Sequence, residues 1–258
     1  MINTIIHDDC LKIMPTIDSN SVDLILCDLP YGTTKCKWDV ILPFQELWEN
    51  YNRIIKDNGC ILLFGVEPFS SFLRCSNLNM YRYDWVWNKL KAANYLFMNS
   101  QPGKITENIS VFYKKQPMYN PQKIVNPAGT SKRHTYKNPS KISKNAKLIM
   151  GEGYKNNVED NFFGKDYEPD KLLPTNILTF SRPHKPLHPT QKPVKLLEYL
   201  IKTYTKEGDL VLDNCAGSGS TLVAAKNLNR LYIGIEKEKE YYDIAVNRLN
   251  SGLNEYLI

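Results

Sequence analysis

Short apolar runs that end in polar or glycine-containing turns mark the strands of this chain: Val22 to Cys27, Cys60 to Phe64, Leu210 to Leu212 and Leu231 to Ile235. Runs of this length predict buried parallel strands. Between them the apolar positions change to helical spacing. Phe44, Leu47, Trp48, Tyr51, Ile54 and Ile55 predict one helix, with Asn58-Gly59 as its stop before the next strand. Leu196, Leu197, Leu200 and Ile201 predict a second, with Pro193 in its first turn, and Tyr241, Tyr242, Ala245, Val246 and Leu249 a third. Strands alternating with helices imply a mostly parallel sheet covered on both sides, the doubly wound α/β class.

The middle of the chain breaks that rhythm. From Asn108 to Gly151 there is no acidic residue, while Lys114, Lys115, Lys123, Lys132, Arg133, Lys137, Lys141, Lys144 and Lys147 supply nine positive charges. Pro117, Pro121, Pro127 and Pro139 interrupt the segment further. Such a stretch cannot build its own core, so it reads either as a solvated loop or linker or as an arm that contacts phosphates. Tyr113, Tyr119, His134 and Tyr136 interleave with the cations, which suits stacking and backbone contact.

Length and charge fit that organisation. A chain of 258 residues buries a full α/β core as one domain with an insertion. The net charge of +6 suits a polyanionic partner, although many ordinary enzymes are as basic. The six cysteines form no CxxC pair and no cluster with His at metal spacing, so neither zinc nor a disulfide framework is expected. No apolar run approaches the length of a membrane span, and the expectation is a soluble, cytoplasmic protein.

Two stretches carry candidate chemistry. Asp213 ends a predicted strand, and Asn214-Cys215-Ala216-Gly217-Ser218-Gly219 turns the chain into a helix starting at Thr221. Glycines there let the backbone approach a ligand, and the helix amino terminus offers free N–H groups to a carboxylate or phosphate. The third glycine of GxGxxG is missing, which disfavours a dinucleotide. Glu236, at the end of the next strand, is placed either to accept both hydroxyls of a ribose or to cap the following helix. Asp28-Leu29-Pro30-Tyr31-Gly32, at the carboxyl end of Val22 to Cys27, is a turn where ligands sit in open α/β sheets.

Asp28-Leu29-Pro30-Tyr31, then His188-Pro189-Thr190-Gln191-Lys192-Pro193, then Asp213 to Ser220 resemble, in this order, the S-adenosylmethionine-dependent amino-methyltransferases that modify DNA bases. The order, with the tetrapeptide ahead of the cofactor turn, resembles the β group of that family. The resemblance implies a Rossmann-like sheet with circularly permuted motif order and a target-recognition insertion. The chain then divides into a catalytic half (1–115), the insertion (116–183) and a cofactor-binding half (184–258). It also implies double-stranded DNA as partner, with no metal and no membrane, and admits a homodimer. Lys132, Arg133, Lys137, Lys141 and Lys144 become the candidate DNA contacts.

By the same resemblance, Asp213, Asn214, Cys215, Ala216, Gly217, Ser218 and Gly219 cradle the methionine end of the cofactor and Glu236 binds its ribose. Thr190 and Gln191 approach its amino-acid end, and His188 and Lys192 of the same segment are counted with the cofactor site. Ile5 to Leu11 resembles a family strand ending in Gly-Asp-Cys, which places Asp9 and Cys10 near the adenine; Asp8 stands where that Gly would be. Asp28 is counted with both sites. Family members often have Pro-Phe at Asn214-Cys215, and Pro-Pro at Leu29-Pro30.

The residue types suit the chemistry. An exocyclic amine conjugated with its ring is a weak nucleophile, and methylation puts positive charge on its nitrogen. Asp28 and the carbonyl of Leu29 are candidate acceptors for its two N–H bonds, Pro30 constrains the turn, and Tyr31 offers an aromatic face to a base taken out of the duplex. The expectation is a site-specific methyltransferase acting on the N6 amine of adenine. The N4 amine of cytosine is the alternative, ahead of RNA, protein glutamine or a catalytically dead DNA-binding fold. Trp85 to Lys89 and Glu107 to Tyr113 resemble the family's target-pocket strands, and their aromatics fit a plain core equally well.

Overall fold

A computed structural model describes residues 2–34, 36–125 and 171–251. The chain divides into two compact units, Met1–Asn120 with Thr175–Ile258, and Pro121–Pro174. The first unit therefore takes in 116–120 and 175–183, which the sequence assigns to the insertion. Within the second, β6 (Ile124–Val125) and β7 (Lys171–Leu172) pair antiparallel. Lys132, Arg133, Lys137, Lys141 and Lys144 lie outside the described residues.

The first unit is built on an eight-stranded sheet in the order β1-β10-β9-β2-β3-β5-β4-β8. Its members are β1 (Thr4–His7), β2 (Val22–Cys27), β3 (Ile55–Gly65), β4 (Tyr81–Asn88), β5 (Thr106–Phe112), β8 (Ile177–Thr179), β9 (Leu210–Asp213) and β10 (Leu231–Glu236). Neighbours pair parallel except around β5, which runs against both β3 and β4.

Strand alternation sorts the core into two layers. Leu24 and Leu26 face α4 (Val194–Tyr204) and α5 (Ser220–Asn227), among Leu196, Leu200 and Leu222. Ile25 and Cys27 point the other way, to α1 (Cys10–Ile13), α2 (Phe44–Ile54) and α3 (Phe69–Ser76), among Leu47, Tyr51 and Phe69. All four of these β2 side chains are fully buried, so β2 reads as apolar on both faces. A last helix, α6 (Lys239–Ser251), buries Ala245 and Leu249.

Three boundaries differ from the sequence expectation. Helix α2 ends at Ile54, because Ile55 is already extended and pairs with Val22 in the ladder. Asn58-Gly59 is therefore no helix stop but part of β3, beside an irregular register between Val22 and Leu24. Gly59 answers a close approach, since a Cβ there would lie 2.9 Å from the Asp23 carbonyl oxygen. Pro193 precedes α4 as its amino cap instead of entering the first turn, and α5 starts at Ser220, one residue before Thr221.

The connections leave β2 and β9 in opposite directions: β2 leads to β3 on one side and β9 to β10 on the other. Such a switch point opens a crevice at the carboxyl ends of the two strands. Asp28 directly follows β2 and Asp213 closes β9, so both candidate stretches meet there.

Candidate active site

A cavity of about 450 Å³ occupies this crevice, within the size range of small-molecule sites. Asp9, Cys10, Asp28, Leu29, Pro30, Tyr31, His188, Thr190, Gln191, Lys192, Asp213, Asn214, Cys215, Ala216, Gly217, Ser218 and Glu236 all line it. Five separate stretches of chain, read only as motifs in the sequence, are thus brought to one cavity. Gly219 does not line the cavity. It caps α5 at φ 77°, and a Cβ there would come within 2.9 Å of Ala245, so its role is to let the turn pass against α6.

On the β9 side the turn is tied from both directions. Asp213 accepts the Cys215 amide at 3.1 Å, and burial raises its carboxyl to about 6. Asn214 accepts the Tyr51 hydroxyl at 2.6 Å from the opposite layer. Gly217, at φ 51°, donates its amide to one Glu236 oxygen at 2.7 Å, and Glu238 donates to the other at 2.7 Å. Burial raises the Glu236 carboxyl above its ordinary value. Arg248 braces the turn from behind, donating to the Ser218 carbonyl at 2.6 Å. Asp9 caps α1 by accepting the Leu11 amide at 3.0 Å and takes Lys237 at 3.0 Å. The thiol of Cys10 is held protonated by its hydrogen bond with Cys215 and by burial.

His188 packs against two rings that also touch each other, Trp38 at 5.1 Å and Tyr241 at 4.1 Å between centroids. Burial, with the Lys192 charge nearby, lowers it to about 4, so the ring is neutral. Its Nδ1 accepts the Thr190 amide at 3.2 Å, and Gln191 accepts the Leu187 amide at 2.7 Å. Trp38 belongs to a loop fastened by Asp39, whose carboxylate accepts the amides of Gly32, Thr33 and Thr34 at 2.8, 2.9 and 2.6 Å. Burial opposes ionisation of Asp39, but those donors together with the Thr34 hydroxyl outweigh it and lower its pKa.

The β2 side differs in one respect from its sequence reading. Tyr31 packs its ring on Phe69 at 4.9 Å and turns its hydroxyl to one Asp28 oxygen; burial and the Asp28 charge keep that hydroxyl protonated, so it donates. Lys192 donates to the other Asp28 oxygen. Lys192 also lies 3.6 Å from Glu107, which in turn lies 3.8 Å from Lys89. Burial works against the Lys192 ammonium, but Asp28 and Glu107 outweigh it and raise its pKa, whereas burial prevails at Lys89 and lowers its pKa.

Sequence reasoning gave no role to Trp38 or Asp39, and it placed Lys89 and Glu107 only within stretches that resemble target-pocket strands, without singling out either. Glu107 reaches the site because β5 is antiparallel, so its first residues lie at the same edge as the last residues of β2 and β4. Trp85 and Trp87 are core: their indoles donate to the Tyr204 hydroxyl at 2.6 Å and the Phe180 carbonyl at 2.8 Å. Among the described residues no group of His, Cys, Asp and Glu is arranged to hold a metal ion, and no helix is long and apolar enough to cross a membrane.

Residues 22–247 match the sequence family described as DNA methylase. The chain belongs to that family. Among curated relatives, the type II methyltransferase M.HpaI of Haemophilus parainfluenzae is 31% identical, over 98% of this methylase and 76% of the relative. M.HindIII of Haemophilus influenzae is 28% identical, over 96% of each chain. The crystal structure of the M1.HpyAVI–SAM complex superposes with a TM-score of 0.60 at 26% identity, covering 95% of the methylase and 98% of that chain. The PvuII cytosine-N4-specific DNA methyltransferase superposes with a TM-score of 0.64 at 16% identity, covering 98% and 88%, and shares the Rossmann-like fold.

Proposed function

We propose that this methylase transfers a methyl group to the N6 amine of adenine in duplex DNA at a specific sequence. The methyl donor is S-adenosylmethionine, which supplies an electrophilic methyl group when bound. The crevice fits it: Glu236 presents a carboxylate beside the glycine turn, and His188 with Trp38 and Tyr241 gives an aromatic wall.

One observation carries the reading: Asp28 directly follows β2 at the switch point and is among the residues that line the cavity. A carboxylate there accepts an amine N–H, draws the nitrogen towards sp³ geometry and stabilises the charge it develops. The Leu29 carbonyl is the second acceptor. Asp as the first residue of the tetrapeptide favours adenine over cytosine, by resemblance to the family. Lys132, Arg133, Lys137, Lys141 and Lys144 are proposed as phosphate contacts.

The test is expression in a methylation-deficient bacterium, followed by single-molecule sequencing of its genome and analysis of tritium-labelled nucleosides. The reading requires 6-methyladenine at one motif. Label found only in 4-methylcytosine would move the activity to cytosine, and an unmodified genome beside soluble protein would remove DNA as the substrate.

A further inference from the structure

Both oxygens of Asp28 are engaged: one accepts the Tyr31 hydroxyl and the other the Lys192 ammonium. A buried ammonium thus stands where the proposed reaction needs a target amine. Lys192 is the centre of an alternating row, Asp28, Lys192, Glu107, Lys89, in which Lys192, Glu107 and Lys89 each expose less than a tenth of the side chain. The rings of Phe64 and Tyr31, 5.0 and 5.9 Å from its nitrogen, add a weakly attractive wall.

Methyl transfer makes the conflict sharper. The amine lone pair forms the new N–C bond while the S–C bonding pair leaves on sulfur. The nitrogen then holds a full positive charge until one of its protons passes to Asp28 and on to water. Two cations would share one carboxylate at that moment, at low dielectric, where such repulsion is strong. Glu107, 3.6 Å from Lys192, is a second anion within a small side-chain movement.

We propose that Glu107 is a positioning residue that takes over the Lys192 ammonium when the target amine engages Asp28. Lys192 in this scheme pairs with Asp28 while no base is present, which avoids an unpaired buried charge. This rests on the amino-methyltransferase reading above.

The experiment measures single-turnover methylation of duplex DNA at saturating donor for wild type, Glu107→Gln, Lys192→Met and the double variant. Calorimetric donor binding and thermal melting are recorded for each. Glu107→Gln leaves Lys192 fixed on Asp28, and the chemical rate should fall on the order of 10- to 100-fold while donor Kd is unchanged. Removing Lys192 as well should recover most of that loss, which a merely structural role for Glu107 would not produce. A double variant no faster than Glu107→Gln overturns the inference, as does a Glu107→Gln protein with the wild-type rate. Should Glu107→Gln not fold, Lys192→Met and the double variant are compared: equal rates support the hand-over, and a further drop in the double variant refutes it. A wild type that labels no DNA removes the underlying reading instead.

Discussion

The backbone amide of Gly217 donates to the carboxylate of Glu236 at 2.7 Å and so fastens the turn after β9 to the end of β10. The same carboxylate is the proposed ribose acceptor, so Glu236 shapes the turn and meets the ligand at once. Glu236→Ala should weaken S-adenosylmethionine binding on the order of 10- to 100-fold by calorimetry, as expected for lost hydrogen bonds to a charged group. An unchanged Kd would separate Glu236 from the cofactor.

Asp213 should make the protein sensitive to rising pH. Its folded pKa of about 6 lies above the ordinary 3.8, so the stability it contributes is fully present below about pH 4 and is lost as pH rises through about 6. Asp213→Asn keeps an acceptor for the Cys215 amide. Relative to that variant, the wild type should lose about 2 to 3 kcal/mol between pH 4 and 7.5 in urea titrations. A constant difference would show that Asp213 titrates alike in both states.

His188 works in the opposite sense. Its folded pKa of about 4 lies below the ordinary 6.5, so its contribution is present above about pH 6.5 and is lost as pH falls through about 4. His188→Phe retains a ring beside Trp38 and Tyr241 and should flatten the acid limb of Tm against pH. The two groups oppose each other between pH 4 and 6.5, so the two single variants should tilt the wild-type curve in opposite senses. Two variants tilting the same way would contradict the assignment.

Asp39→Ala removes the acceptor of three loop amides, which should cost about 1 to 3 kcal/mol. The loop carries Trp38 over the cavity, so the variant should also raise the KM for donor more than it lowers kcat. Trp38 fluorescence gives a direct readout: donor binding should quench wild type and leave Trp38→Phe nearly unaffected. Equal quenching in both proteins would place Trp38 away from the ligand.

Replacing Lys132, Arg133, Lys137, Lys141 and Lys144 with Gln should weaken DNA binding uniformly over sequence and flatten its salt dependence. The slope of log K against log salt should fall by about 0.9 for each phosphate contact removed. A slope equal to the wild type would mean that these cations do not meet phosphates.

Much of the sheet was legible because β2, β9 and β10 are apolar on both faces and end in turns whose residue types are restricted by backbone geometry. The start of β3 was not, since Asp57, Asn58 and Gly59 look like a helix stop and only the contact between Gly59 and the Asp23 carbonyl explains them. The motifs gave many of the residues that line the cavity, though not Trp38 or Asp39, and did not give their partners. Tyr31 was expected to present a ring and instead also donates a hydrogen bond to Asp28. Glu107 lay in a stretch resembling a target-pocket strand but could not be singled out, because nothing in Thr106 to Phe112 signals that this strand runs backwards. Asp39 was hidden for another reason: a carboxylate that closes a loop on its own preceding amides carries no periodic signal.

The crevice is a seam. One wall, with Asp9, Asp28 and Trp38, comes from the chain before residue 116 and the other, with His188, Asp213 and Glu236, from the chain after 184, and they adjoin where β2 pairs with β9 through Leu24 beside Val211 and Ile25 beside Leu212. Neither wall needs a peptide connection to the other at that seam. Fragments 1–125 and 171–258, made separately in one cell, therefore have the complementary surfaces required to reassemble the pocket, with Leu26 and Leu24 from one piece burying Leu196 and Leu222 from the other. Such split halves would bind donor only when paired, and would allow the basic middle segment to be exchanged without rebuilding the pocket.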